Sequence, residues 1–131
     1  MPEWRAHAGA TLLMPSGDRG HHLFVILNEP KTFPGYGPHP CVVLVNLSTI
    51  RGDAPYDPTC VLKENSHRFV RNHSYVRYRS ARVERVDHLS RGIRNGVFTP
   101  NDIFPAETFS LIQAGLRSSP FTKREFKLFD L

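Results

Sequence analysis

The fold is decided by the stretch Cys41-Val42-Val43-Leu44-Val45-Asn46-Leu47. It is apolar except for Asn46 and β-branched at three positions, which is typical of a central strand buried on both faces. Four other extended segments accompany it, and each is bounded by residues that favour turns. They are Ala10–Met14, Leu23–Leu27, Cys60–Leu62 and Ser74–Val86. The first two-thirds of the chain is therefore predicted to form an antiparallel sheet.

The last quarter of the chain changes to helical spacing. Phe109, Ile112 and Leu116 recur at this spacing, and Pro105 suits the first helical position. We therefore expect a helix over about residues 105–118.

A second, shorter helix is expected over about residues 122–130. Thr122 and Glu125 have the spacing of a capping box, and Phe121 and Phe126 flank it as the hydrophobic staple pair. This pattern predicts a helix that begins directly after Thr122.

The length of 131 residues fits a single domain around one core. We expect that domain to cover residues 1–131, with a barrel over about 9–88 followed by the two helices. The predicted fold class is mainly β with C-terminal helices, in the form of a small antiparallel barrel.

Neither a membrane span nor a secretion signal is expected. The longest apolar run, Cys41–Val45, is far shorter than the ~20 residues that cross a bilayer. The segment Met1–Arg5 lacks the basic start and apolar core of a signal peptide.

Cys41 and Cys60 are the only cysteines, and we expect both to be unpaired core residues. The prediction is a soluble, cytoplasmic protein.

Positive charge is concentrated in one part of the chain. Eight arginines fall within the 27 residues from Arg68 to Arg94, opposed there only by Glu84 and Asp87. This stretch carries +6, more than the +5 of the whole chain. The planar guanidinium suits phosphate oxygens and stacking on bases, although a solvated sheet face is the simpler interpretation.

The strand that follows Ser74 alternates. Tyr75, Arg77 and Arg79 should share one face, and Val76 and Tyr78 the other. Arginines beside an aromatic ring offer single-stranded nucleic acid a stacked base and neutralised phosphates. The predicted nucleic-acid-binding residues are Tyr75, Tyr78, Arg79 and Arg82.

Several reaction classes lose support from missing motifs. The sequence has no GxxxxGK[ST], no GxGxxG, no HExxH and no GxSxG. Among seven histidines, His67 and His73 form the only local pair with a metal-like spacing, and the acidic residues are scattered. Neither a metal nor a cofactor is therefore predicted.

The histidines suit proton transfer better than metal binding. Metal-free RNA cleavage needs an imidazole that titrates near neutral pH, because the ribose 2′-OH must lose a proton while charge builds on the phosphate. A nearby arginine would stabilise that charge. For any one histidine, an exposed or hydrogen-bonded loop residue is the alternative.

Five segments occur in an order that resembles the MazF/PemK/Kid group of toxin–antitoxin ribonucleases, of which CcdB is a structural cousin. The segments are Gly9–Leu13, Leu23–Leu27, Val43–Thr49, Tyr75–Ser80 and Phe104–Ile112. The resemblance covers roughly Ala10 to Thr122 and implies an SH3-like barrel of the PemK type.

The residues at the family's active-site positions differ in part. The family arginine before the second strand falls at His21 or His22, and the family threonine after the third strand falls at Ser48. The arginine of the V-V-R-x-D-Q motif falls at Arg77. The acidic residue two positions later is replaced by Arg79, which inverts the local charge.

The resemblance implies a metal-independent endoribonuclease toxin that cleaves single-stranded RNA, forms a homodimer and is restrained by an antitoxin. In this reading His67 or His73 abstracts the 2′-OH proton, and His21 protonates the leaving 5′-oxygen. Arginines stabilise the pentavalent phosphorane. The candidate catalytic residues are His21, Ser48, His67, His73 and Arg77.

Two alternatives remain open at this point. A non-catalytic member of the same fold would bind RNA, DNA or a protein through the arginine-rich strand. An accessory subunit would use the same basic face to dock an acidic partner.

Overall fold

The computed structural model describes residues 3–15, 20–68 and 70–131. Within these ranges the chain forms six strands and three helices. In chain order they are β1 (Thr11–Pro15), β2 (His21–Ile26), β3 (Cys41–Thr49), β4 (Val61–Leu62), β5 (Ser74–Arg85), α1 (Val86–Arg94), β6 (Thr99–Asn101), α2 (Ala106–Ser118) and α3 (Arg124–Lys127).

The strands form one curled antiparallel sheet in the order β4-β5-β3-β2-β1-β6. The mainly β fold with helices near the C-terminus is confirmed. All five predicted strands are present, and none of their bounds differs from the predicted one by more than two residues.

Strand β3 is central, and it is buried on both faces as predicted. Every residue from Cys41 to Leu47 is buried. One face packs into a cluster with Ile112 and Leu116 of α2, and the other into a cluster with Leu89 of α1. Because both faces are covered, an almost continuous apolar run is what this position requires.

Helix α2 is fixed to β5 through Tyr78. The Tyr78 hydroxyl donates a hydrogen bond of 2.6 Å to the carbonyl oxygen of Ile112. Burial, reinforced by Cys60, raises the pKa of Tyr78, so the phenol stays a neutral donor. Gly115 permits this contact, because a Cβ at that position would lie 1.9 Å from the Tyr78 hydroxyl oxygen.

A bulge divides β5 into two halves. Asn46 pairs with Arg77 and Leu44 pairs with Arg82, so a step of two residues on β3 spans five on β5. A bulge bends a strand and increases its twist, which helps this sheet to curl. In a regular strand, residues five positions apart lie on opposite faces. The bulge adds three residues, an odd number, so Arg82 lies on the same face of the sheet as Arg77.

Helix α1 and strand β6 were not predicted. The sequence pattern predicts the end of the barrel at residues 86–88 and no helix or strand over residues 89–104. A helical signal is nevertheless present, because Val86, Leu89 and Ile93 recur at helical spacing and Asp87 lies in the first turn. The short β6 contains Pro100, which does not favour a strand.

The predicted capping box is wrong. Helix α3 begins at Arg124, its N-cap residue is Lys123, and no side chain caps it. Among the described residues, the Thr122 hydroxyl has no hydrogen-bond partner. Phe126 is buried with the core, whereas Phe121 is exposed, so the two do not act as a staple pair.

None of the helices in the described ranges is both long enough and apolar enough to cross a membrane.

Candidate nucleic-acid interface

Two adjoining cavities open at the end of the sheet where β3 ends and β2 and β5 begin. The larger has a volume of about 670 Å³ and the smaller about 260 Å³. Both are lined by Pro55, Tyr56, Tyr75 and Arg77. We call them the large cavity and the small cavity.

The first half of β5 supplies one wall of both cavities. The predicted alternation is confirmed: Arg77 and Arg79 are exposed and Tyr75 is half-buried, whereas Val76 and Tyr78 are buried. Tyr75 and Arg77 line both cavities, and Arg79 lines the small one. Two guanidinium groups and one aromatic ring therefore face the same opening.

A second aromatic ring comes from the turn before β4. The rings of Tyr56 and Tyr75 lie with their centroids 5.5 Å apart at an angle of 39°. Tyr56 is 40% exposed, so much of its surface is accessible to a ligand. Tyr56 was not predicted, although a tyrosine in the turn Pro55-Tyr56-Asp57-Pro58 is a signal that sequence reasoning could have used.

The large cavity is lined by the residues at three of the family's active-site positions. His21 and His22, the two candidates for the first position, begin β2, and Ser48 lies near the end of β3. His21 is exposed, whereas His22 is half-buried with its Nδ1 3.4 Å from the carbonyl oxygen of Leu47. Ser48 pairs with Tyr75 across the sheet. The structure therefore brings His21, Ser48 and Arg77 around one opening.

A buried carboxylate supports the small cavity. Asp57 accepts hydrogen bonds from the Thr59 backbone N–H at 3.0 Å and from the hydroxyls of Thr59 and Ser119 at 2.5 Å each. Burial by itself raises the pKa of Asp57, but these hydrogen bonds and the charge of Arg79 outweigh it and hold the pKa below its usual value. Asp57 is therefore a carboxylate at neutral pH that ties its loop to the end of α2.

The two cavities carry excess positive charge. Arg51 and Arg77 line the large cavity, and Arg77 and Arg79 line the small one. Within the described part of the chain, none of these three arginines forms an ion pair. Their guanidinium groups therefore remain available to an anionic ligand.

Two predicted catalytic histidines lie elsewhere. His67 is buried, with its ring 4.8 Å from that of Phe104 and its Nε2 against the carbonyl oxygen of Asp102. His73 is exposed, directly precedes β5, and accepts a hydrogen bond from the Ile50 N–H through its carbonyl oxygen. Neither side chain lines the large or the small cavity.

Two of the predicted nucleic-acid-binding residues, Tyr78 and Arg82, do not present their side chains to a ligand in these cavities. Tyr78 lies beneath the small cavity, but its side chain is fully buried against α2. Arg82 lies beyond the bulge, 4.9 Å from the ring centroid of Phe24, and pairs with Glu84. Tyr75 and Arg79 are therefore the predicted binding residues that a ligand in these cavities can contact.

The part of the chain that the structure describes has no group of three or more His, Cys, Asp or Glu side chains placed to hold a metal ion.

Comparisons of the chain with protein-family models, with curated proteins and with solved structures find no match. The resemblance to the MazF/PemK/Kid group stays a prediction. The chemistry of the two cavities is what supports a function.

Proposed function

We propose that the large and small cavities together bind single-stranded RNA. The observation that carries this proposal is the pair of tyrosine rings 5.5 Å apart beside the unpaired guanidinium of Arg77. Unstacked bases bind to aromatic rings, and guanidinium groups neutralise the phosphates between them. A basic groove that holds tyrosines accessible to solvent provides both contacts.

The experiment measures binding of a fluorescein-labelled RNA of nine uridines by fluorescence anisotropy. Stacking contributes about 1–3 kcal/mol per base, so Tyr75→Ala should weaken binding by about 5- to 150-fold. Tyr75→Phe is the matched control, because it keeps the ring and should retain most of the affinity. Equal binding by wild type and Tyr75→Ala would refute the proposal.

Metal-independent RNA cleavage is the second candidate function, and the meeting of His21 and His22 with Ser48 and Arg77 in the large cavity favours it. In this proposal one histidine takes the 2′-OH proton and the other protonates the leaving 5′-oxygen. The 2′-oxygen attacks phosphorus, the bond to the 5′-oxygen breaks, and the products are a 2′,3′-cyclic phosphate and a free 5′-hydroxyl. Arg77 stabilises the charge on the phosphorane.

The roles of base and acid suit His21 and His22 better than His67 or His73, because the latter two do not line the cavity. The predicted roles of His67 and His73 stay untested. If wild type binds RNA but never releases a cyclic phosphate, the non-catalytic module that the sequence left open is the better description.

The resemblance also implies a homodimer, an antitoxin partner and a cytoplasmic location, which belong to the same proposal. The dimer is testable by light scattering, which should return about twice the monomer mass of 14.9 kDa at micromolar concentration. A constant monomer mass would remove the dimer without affecting the RNA-binding proposal.

A further inference from the structure

The small cavity differs in character from the large one. Its walls include the rings of Tyr56, Tyr75 and Phe121 together with the guanidinium of Arg79. Its volume of about 260 Å³ is slightly below the ~300–1,000 Å³ of cavities that enclose drug-sized ligands. Three aromatic walls and one charged planar group are typical of a site for a flat, polar ring.

Arg79 is held in place by Phe121. Its guanidinium carbon lies 5.0 Å from the centroid of the Phe121 ring, which is a cation–π contact. Phe121 is 41% exposed and therefore remains free to contact a ligand as well. A guanidinium stacked on a ring loses less freedom when it then forms hydrogen bonds with a ligand.

Asp57 supports this arrangement from beneath. Its carboxylate accepts hydrogen bonds from Thr59 and Ser119, and its charge attracts Arg79. Ser119 also accepts a hydrogen bond of 3.1 Å from the backbone N–H of Phe121. The same network therefore fixes the backbone at Phe121, on whose ring the Arg79 guanidinium is stacked.

We propose that the small cavity is a guanine-selective subsite in which Arg79 donates two hydrogen bonds to O6 and N7 of one unstacked base. The proposal rests on RNA binding in the adjoining large cavity. Guanine alone presents two adjacent acceptors on this edge, and arginine is their commonest partner. Adenine offers N7 beside an amino group, which repels a second donor, and a pyrimidine has no N7.

The aromatic walls accept any base, so they cannot produce this selectivity themselves. Tyr56 and Tyr75 hold the base plane, and Arg79 reads its edge. If Arg79 contacted only phosphate, its loss would weaken all RNA sequences equally.

The experiment compares five labelled RNAs of nine nucleotides, which are uridines except at the central position. That position carries uridine, adenosine, guanosine, inosine or 7-deazaguanosine. One bidentate pair gives about 5- to 150-fold discrimination, so the guanosine RNA should bind at least about fivefold more tightly than the adenosine and uridine RNAs. Inosine should bind like guanosine because it keeps O6 and N7, whereas 7-deazaguanosine should lose most of the gain.

Arg79→Lys keeps the charge but removes the planar fork, so it should abolish the preference for guanosine while retaining binding of the all-uridine RNA. Phe121→Leu should reduce the same preference by freeing Arg79. Arg124→Lys, on the exposed surface of α3, is the matched control and should leave the preference unchanged.

The outcomes separate the two proposals. Equal affinity of wild type for all five RNAs, with a measurable affinity for each, would overturn the guanine subsite and leave RNA binding in place. A preference that survives in Arg79→Lys would also overturn it. Failure to bind any of the RNAs would overturn both proposals.

Discussion

The two halves of β5 carry similar numbers of arginines but use them differently. Beyond the bulge, Arg82 pairs with Glu84 at 3.1 Å and Arg85 pairs with Asp87 at 2.5 Å. A hydrogen bond from Arg85, with its charge, lowers the pKa of Asp87. These arginines are neutralised by neighbours on their own strand and at the start of α1.

Before the bulge, Arg77 and Arg79 form no ion pair within the described residues. They face two cavities lined by tyrosines, and Arg79 is stacked on Phe121. A count of arginines along the sequence treats the two halves as one basic patch. The structure shows that pairing divides them, and that the unpaired half is the one available to an anionic ligand.

The largest effect is expected when the two histidines of the large cavity, His21 and His22, are compared with His67. If the large cavity cleaves RNA, His21→Ala and His22→Ala should each slow cleavage by about 10²–10⁴-fold and leave RNA affinity nearly intact. His67→Ala should instead destabilise the fold, because that ring is packed against Phe104. The measurements are single-turnover cleavage of a labelled RNA and urea denaturation.

A His67→Ala protein that folds with wild-type stability but no longer cleaves RNA would reverse this assignment. It would restore the catalytic role that the sequence predicted for His67.

The next largest effect concerns the buried side of the first half of β5. Gly115→Ala would place a Cβ 1.9 Å from the Tyr78 hydroxyl oxygen. Overpacking of this kind costs about 1–3 kcal/mol and should exceed the gain in helix propensity of about 1 kcal/mol. We expect a lower urea midpoint for Gly115→Ala, whereas Ser110→Ala on the exposed side of α2 should change it little. A more stable Gly115→Ala protein would show that α2 and β5 are not in close contact.

Most of the fold was predictable because its signals are local. The central strand is recognisable from Cys41–Leu47, and the alternation after Ser74 correctly separates Arg77 from Tyr78. Helix α1 was missed because the alternation of β5 runs directly into it without a turn residue. The staple pair was wrong because the ring of Phe121 lies against the guanidinium of Arg79, a contact between residues far apart in sequence.

The candidate site was predictable only in part for the same reason. Ser48 and Tyr75 were identified, and they meet because β3 pairs with β5. Tyr56 and Asp57 lie in a turn whose position depends on the hydrogen bond from Ser119. No periodicity in the sequence reports such a contact. The pairing of Arg82 is different, because its partner Glu84 lies only two residues later on the same strand, whereas the sequence has no acidic residue between Glu64 and Glu84 that is close to Arg77.

An effect of similar size is expected at Asp57, the buried acid beside Arg79. Asp57→Asn should lower the free energy of unfolding at pH 7 by about 1–3 kcal/mol, because hydrogen bonds to a charged acceptor are lost. The folded protein lowers the pKa of Asp57, so this stability is present above the unfolded value of about 3.9 and is lost as pH falls through the folded pKa. The gap between wild type and variant should therefore shrink at pH 3.

The measurement is urea denaturation at both pH values. Asp53→Asn is the control, because Asp53 is exposed in the same loop and should affect stability little at either pH. A gap of equal size at pH 7 and pH 3 would mean that the charge of Asp57 does not stabilise the fold.

The smallest effect tests the comparison between the two halves of β5 directly. If Arg77 contacts a phosphate, Arg77→Ala should reduce the slope of log affinity against log salt by about 0.7, the value for one contact on a single strand. Arg82→Ala removes the same charge from the same face but should leave the slope unchanged, because Glu84 already neutralises it. Anisotropy titrations of the nine-uridine RNA over a range of salt concentrations measure both slopes. Equal reductions of the slope would mean that both halves of β5 contact RNA and that the ion pair of Arg82 opens on binding. If neither substitution changes the slope, the basic strand is better explained by the remaining alternative, a surface that docks an acidic protein.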